Sequence, residues 1–265
     1  MQSLADRFAF LKSREQKALV LFVTAGDQPL EELPELLSFL ADAGADIIEV
    51  GIPFSDPFGE GPTIQASSLR ALKHGATPHS ILDAMGKAKV GVPLVTMGYY
   101  NPILRYGLQP FAEASQKNGS AGTIVNDLVP DESDAWCDAC ERAGIKTIFL
   151  VAPTSSERRI HEVAERSTGF VYVVSRTGVT GAENAVPQDV TGLVQKVKSL
   201  TDKPVCVGFG ISAPEHVRMV CQVADGAVVG SSLVKLLHEK WSTDRAAIRD
   251  YVQSLKAATR PGVAI

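Results

Sequence analysis

The feature that most constrains this chain is an alternation repeated eight times, in which a short apolar run is followed by a helical one. The first run, ALVLFVTAG at 18–26, is rich in branched side chains and ends in glycine. In EELPELLSFLADAG, residues 31–44, Leu33, Leu36, Leu37 and Leu40 form a 3.6-residue stripe, and Pro34 falls where a first helical turn tolerates it. The strands DIIEVGIP, VPLVTMGYY, AGTIVND, KTIFLVAP, GFVYVVSR, KPVCVGFG and DGAVVG follow in order. Helices are expected at about 64–73, 78–89, 109–118, 132–143, 157–166, 188–199, 213–223 and 231–240, with a last one at 244–257. Residues 1–17 read as a short amphipathic leading helix.

Eight strand–helix units point to a parallel α/β fold. The 265 residues suit one (β/α)8 TIM barrel with an extra N-terminal helix, spanning 1–265 as a single domain. A doubly wound open sheet is the rival. The first strand–helix turn, TAGDQPLEE, lacks the G-x-G-x-x-G pattern that such sheets use for dinucleotides.

Charge and composition exclude several classes of function. A net charge of −4 leaves no basic face for a nucleic-acid backbone. No apolar run is long enough to span a membrane. Cys137 and Cys140 form a lone C-x-x-C, but Trp136, Ala139, Cys140 and Ala143 have helical spacing, so Cys140 reads as a small core residue. No second cysteine pair or histidine cluster completes a zinc site, and the thiols read as those of a reduced, cytoplasmic chain. The five histidines are scattered and read as surface or locally satisfied side chains.

In a barrel of this kind the chemistry lies at the C-terminal ends of the strands. The second strand carries Glu49. Side chains alternate, so Ile48, Val50 and Ile52 face the outer helices while Ile47, Glu49 and Gly51 face the barrel axis. A carboxyl there resists ionisation, which suits a general acid or base near neutral pH. The alternative is a structural ion pair, but no basic residue in the first three strands is placed to make one.

GFGIS at 208–212 and VVGSS at 228–232 end the last two strands, the usual phosphate position of such barrels. Small residues at a helix N-terminus leave N–H groups and the positive dipole end open to an anion. Ser212 and Glu215 fit an S-x-x-E capping box. The glycine-rich stretch 175–187 reads as a lid over substrate. A small phosphorylated substrate, an acid–base carboxylate, and neither metal nor organic cofactor are expected.

EVGIPFSDP, GPTIQ, YYNPIL, FLVAPT, SRTGVTGAE, GFGIS and GSSLVK occur in that order and together resemble the tryptophan synthase alpha-subunit family, from about residue 5 to the last helices. Plant-type stand-alone indole-3-glycerol-phosphate lyases share these motifs. The resemblance implies cofactor-free retro-aldol cleavage of indole-3-glycerol phosphate to indole and glyceraldehyde 3-phosphate, with indole passed to a beta subunit in an alpha2-beta2 complex. It places the general acid–base residue on Glu49 and the second carboxylate, which would accept from the indole N–H, on Glu60. Indole-pocket positions fall on Phe22, Met97, Tyr99 and Phe209, with Tyr172 near the base. Phosphate positions fall on Gly181, Gly210, Gly230 and Ser231. Thr180 would engage the second carboxylate on lid closure, and Asp56 and Asp127 would lie on partner-contact loops.

Two departures stand out. The family pattern, like SDPLADGP, has become SDPFGEGP, so Gly59-Glu60 replaces Ala-Asp. Glu keeps the charge and adds a methylene, and the wider freedom of Gly59 is expected to let the backbone compensate. Asn126 stands where Ala or Pro is usual, on a loop the resemblance assigns to communication with the partner. A barrel that binds ligand and regulates its partner without catalysis is the reading that Glu60 leaves beside the lyase. Another phosphosugar enzyme, such as an isomerase, is disfavoured by the ordered motifs.

Overall fold

The computed structural model describes residues 2–175, 189–208 and 210–260. The leading helix α1, Leu4–Ser13, is followed by strand β1, Ala18–Thr24, helix α2, Leu33–Ala43, and strand β2, Ile47–Gly51. Next come α3, Pro62–Lys73, α4, Pro78–Met85, β3, Leu94–Gly98, α5, Tyr100–Tyr106, α6, Leu108–Lys117, and β4, Ser120–Val125. Helix α7, Asp134–Ala143, leads to β5, Lys146–Ile148, β6, Leu150–Val151, α8, Glu157–Arg166, and β7, Val171–Val174. The chain ends with α9, Asp189–Leu200, β8, Val205–Gly208, α10, Pro214–Cys221, β9, Gly226–Val229, α11, Ser231–Lys240, and α12, Arg245–Ala257.

All pairings among these strands are parallel, in the order β5-β4-β3-β2-β1-β9-β8-β7-β6. The expected fifth strand, 146–153, is the segment that closes the ring. Its first half, β5, pairs with β4, and its second half, β6, pairs with β7. The handover falls at Phe149, whose carbonyl accepts from the Tyr172 N–H at 3.0 Å and whose own N–H donates to Ser167 Oγ at 3.2 Å. Changing partners at one residue breaks the ladder, so one expected strand becomes two segments.

Strand alternation sorts the side chains into two cores. Leu19, Leu21, Val23, Ile48, Val50 and Ile52 point outward and pack with the α2 stripe of Leu33, Leu36, Leu37 and Leu40. Each such leucine removed from water stabilises the fold by about 1.5–3 kcal/mol. Val20, Phe22, Ile47, Val95, Ile124, Ile148, Tyr172, Cys206 and Val228 fill the barrel interior. Leu4, Phe8 and Leu11 of α1 cover its N-terminal end, with Phe8 edge-on to Phe170 at 6.0 Å. There Asp46, fully buried, receives Arg7 at 2.5 Å, Lys256 at 2.6 Å and the Leu19 N–H at 2.7 Å.

One local expectation changes. The run VPLVTMGYY does not remain extended to its end, because α5 begins at Tyr100. Asp127, from the loop after β4, accepts the Tyr100 N–H at 2.7 Å and so satisfies an N-terminal donor of a helix too short to announce itself by periodicity. Cys140 is buried within α7 beside Trp136 and Ala139, as its spacing predicts.

Candidate active site

Glu49 lies in the inward layer that the strand register builds from Phe22, Glu49 and Val95. It is 1% exposed, and among the described residues neither carboxylate oxygen has a hydrogen-bond partner. Burial, and then the nearby charge of Glu60, pushes its carboxyl up to about 8. A protonated carboxyl at neutral pH needs no counter-charge, so this side chain is not half of an ion pair.

Glu60 comes from the loop between β2 and α3. The loop backbone is pinned on both sides of it: the Glu60 N–H donates to the Pro57 carbonyl at 3.0 Å, and Gln65 Nε2 donates to the Glu60 carbonyl at 2.8 Å. The side chain is buried, and Oε1 accepts from Asn126 Nδ2 at 3.0 Å. Burial raises this carboxyl to about 7, with the Asn126 bond pulling in the opposite direction. Two carboxyls near neutrality, each sensing the site's low-dielectric surroundings, can exchange protons with a bound molecule at ordinary pH.

Gly59 acts differently from the expectation of backbone freedom. Its φ is not among the positive ones. What matters is the missing side chain: a Cβ would sit 3.3 Å from the Tyr99 hydroxyl, which accepts the Gly59 N–H at 3.2 Å. Tyr99 is thereby locked against the loop that carries Glu60. Burial first, then the charge of Glu60, raises its phenol to about 12, so it stays protonated.

A pocket opens above this layer, lined by Phe22, Met97, Tyr99, Glu60 and Asn126 together with Thr24, Gly51, Ile52, Phe54, Pro57, Ile64, Ser68 and Gly98. Phe54 packs on Tyr99 at 5.2 Å between ring centres. The aromatic rings of Phe22, Phe54 and Tyr99 in this lining suit a planar apolar ligand group, with the carboxylate of Glu60 beside them. Tyr172 is buried on β7, and its phenol is held well above the ordinary range by burial, then by the charges of Glu49 and Glu60. The structure thus brings Phe22, Glu49, Glu60, Met97, Tyr99 and Tyr172 to one end of the barrel.

The ends of β8 and β9 carry the other expected positions. Gly210 has φ of +79°, a left-handed turn that favours glycine. Gly230 is the N-cap of α11 and Ser231 its first residue, and no side chain caps that helix. The Ser212–Glu215 capping box is not formed. Helix α10 starts at Pro214, its N-cap is Ala213, and no side chain caps it either. Instead the Ser212 N–H faces His216 Nδ1 at 3.4 Å. Two helix N-termini without side-chain caps leave donors and positive dipole ends at the strand C-termini. The Tyr251 hydroxyl ties the two loops together, lying 2.8 Å from the Ser212 carbonyl and 2.7 Å from Ser232 Oγ.

Thr180, Gly181 and Phe209, with the expected lid, lie outside the described residues. Asp56 and Asp127 are exposed, outside the pocket wall. Asp127 holds the start of α5, and Asp56 accepts from Ser55 Oγ. Sequence reasoning put Asn126 with the partner loop and overlooked Tyr251. The signal for Asn126 was its place: a polar residue one step past the C-terminal end of β4, the rank at which such barrels keep their chemistry. Nothing local marked Tyr251, which reaches the site from a helix near the chain's end.

Comparison with known proteins identifies the family. The sequence model of the family described as "Tryptophan synthase alpha chain" matches residues 8–260. The tryptophan synthase alpha chain of Geobacter sulfurreducens is 45% identical over 261 residues, covering 97% of this chain and 99% of that one. That of a Cyanothece species is 43% identical over 265 residues, covering 98% and 99%. A solved structure of Mycobacterium tuberculosis tryptophan synthase superimposes with a TM-score of 0.91 at 37% identity, covering 99% of this chain and 100% of that one. The alpha subunit from Legionella pneumophila gives 0.88 at 32% identity, with 98% of both chains covered. The chain therefore belongs to the tryptophan synthase alpha chain family.

Proposed function

We propose that this chain is a tryptophan synthase alpha subunit that cleaves indole-3-glycerol phosphate to indole and glyceraldehyde 3-phosphate, with Glu49 as acid–base residue and Glu60 as second carboxylate. The observation that carries this reading is the pair itself: a buried Glu49 whose oxygens bond to no described residue, and a buried Glu60 on the wall of the adjoining aromatic pocket.

The indole ring lies against Phe22, Met97 and Tyr99, with its N–H toward Glu60. Protonation of ring carbon 3 places positive charge on the ring, and the Glu60 carboxylate stabilises that charge by accepting from the N–H. Glu49 takes the proton of the glycerol hydroxyl next to the ring. The hydroxyl oxygen becomes the aldehyde oxygen, and the bond between ring and glycerol breaks, its electrons returning to the ring. The proton removed from the hydroxyl balances the one gained by carbon 3, so the reaction consumes no net proton. A carboxyl held near neutrality can carry it in both directions. The phosphate sits where the first turns of α10 and α11 converge, near Gly210, Gly230 and Ser231, with Gly181 and the Thr180 lid completing the site.

The beta subunit docks on the loops after β2 and β4, in an alpha2-beta2 assembly. Phe58 is 71% exposed beside Asp56, and Val129 is exposed two residues after Asp127. Large apolar side chains displayed next to acids on adjoining loops are the composition of an interface. The direct test is incubation of the pure chain with indole-3-glycerol phosphate, with and without a beta subunit, while indole is measured. Slow turnover alone and faster turnover with the partner is expected. No indole in either case would overturn the assignment, and fast turnover indifferent to the partner would make it a stand-alone lyase.

A further inference from the structure

We infer that Asn126 is a positioning residue for Glu60, its side-chain amide fixing where the carboxylate stands over the pocket. This rests on the reading of Glu60 as the second carboxylate and adds a residue which that reading does not include.

The Glu60 backbone is already fixed by Pro57 and Gln65, so only side-chain torsions decide where its carboxylate sits. A glutamate has three of them, and an unanchored one samples several positions. Among the described residues Asn126 Nδ2, at 3.0 Å, is the one side-chain donor to that carboxylate. Asn126 is itself held by rigid structure: it follows β4 directly, and its N–H donates to the Gly98 carbonyl at the end of β3, 2.9 Å away. The donor therefore moves with two strands rather than with a loop.

The other end of the amide sharpens the inference. Asn126 Oδ1 is buried and has no hydrogen-bond partner among the described residues. An unpaired buried polar atom is destabilising, so the amide is not explained by stability alone. Turning the amide over would set its oxygen against the carboxylate, two acceptors face to face, so Glu60 alone sets the orientation. Asn126 and Tyr99, whose hydroxyl accepts the Gly59 N–H, line the same pocket as Glu60. Asn126 thus holds the carboxylate beside the aromatic wall of the pocket.

The test uses the full chain and follows the Glu60 side-chain carboxyl by carbon-13 NMR across pH, with the signal assigned by its loss in Glu60→Gln. In Asn126→Ala the midpoint should rise, since a donor to the ionised form has gone, and kcat should fall about tenfold or more with KM little changed. Asn126→Leu keeps the volume and removes the donor without adding a charge, so its midpoint should rise as in Asn126→Ala; it gives the same reading if Asn126→Ala does not fold. A midpoint unmoved in a folded variant, or a kcat equal to that of the parent chain, would overturn the inference. Absence of cleavage by the parent chain would sink the lyase reading alone, because the titration needs no substrate.

Discussion

A methyl group on Gly208 would lie 2.0 Å from the hydroxyl oxygen of Tyr172, so the end of β8 has room for the tyrosine only because it carries no side chain. Both residues are on neighbouring strands, and Tyr172 stands in the barrel interior near the carboxyl pair. Gly208→Ala should either swing the phenol away or push the strands apart. The expected result is a loss of about 1–3 kcal/mol in denaturant unfolding together with a drop in kcat/KM. A variant equal to the parent chain in both would mean that Tyr172 relaxes without consequence.

Glu49→Gln should lower indole formation by about 10²–10⁴-fold, the usual contribution of a positioned acid–base group. Binding of glycerol 3-phosphate should persist, because the proposed phosphate positions, Gly210, Gly230 and Ser231, lie on other elements. Loss of the folded far-ultraviolet spectrum would make Glu49 structural instead.

Acidity gives an independent check on the same residue. The Glu49 carboxyl rises from 4.5 to about 8 on folding, so between those values the folded chain holds more protons than the unfolded one. Its contribution to stability is full below pH 4.5 and is lost as pH climbs toward 8. Unfolding midpoints of Glu49→Gln should therefore fall less steeply over that range than those of the parent chain. The rate should move the other way: kcat/KM rises with pH as Glu49 and Glu60 ionise, and reaches its plateau above about 8.

Glu60→Asp restores the acid usual in the family and should nonetheless slow this enzyme, by about 10- to 100-fold. The shorter side chain falls short of Asn126, while the Gly59–Tyr99 contact keeps the backbone from moving in to compensate. A faster Asp variant would mean that the longer glutamate is a handicap rather than an adapted feature.

At the opposite end of the barrel, Asp46→Asn should destabilise without touching chemistry. Asp46 gathers Arg7 from α1, Lys256 from α12 and a β1 backbone N–H. Removing the charge of a buried ion-pair centre costs about 3–5 kcal/mol. Thermal melting should drop while kcat per folded molecule stays the same.

The sequence made the barrel legible because both of its periods are strong. The α2 leucine stripe and the alternation around Glu49 each assign a face, and α8 and α11 begin and end where their runs do. Short features set by distant partners were not legible. Helix α5 depends on a carboxylate from another loop, and the start of α10 was misread because Ser212 and Glu215 satisfy a local rule that Pro214 and Tyr251 override. The site residues showed the same division. Glu49 announced itself by its misfit in an apolar strand, whereas the role of Asn126 needed the fold to bring it beside Glu60, 66 positions away.

The handover at Phe149 has a consequence for how the molecule meets its neighbours. An open sheet offers two rims of unpaired amides on which another chain can grow a strand. Here the strand that would form one rim forms the other as well, and where it changes sides the Thr147 and Phe149 amides are taken by the Thr168 and Ser167 hydroxyls. The ring thus has a seam but no rim, and that seam is sealed by two neighbouring hydroxyls, so a crowded solution of this protein finds no sheet edge at that point from which to template aggregation.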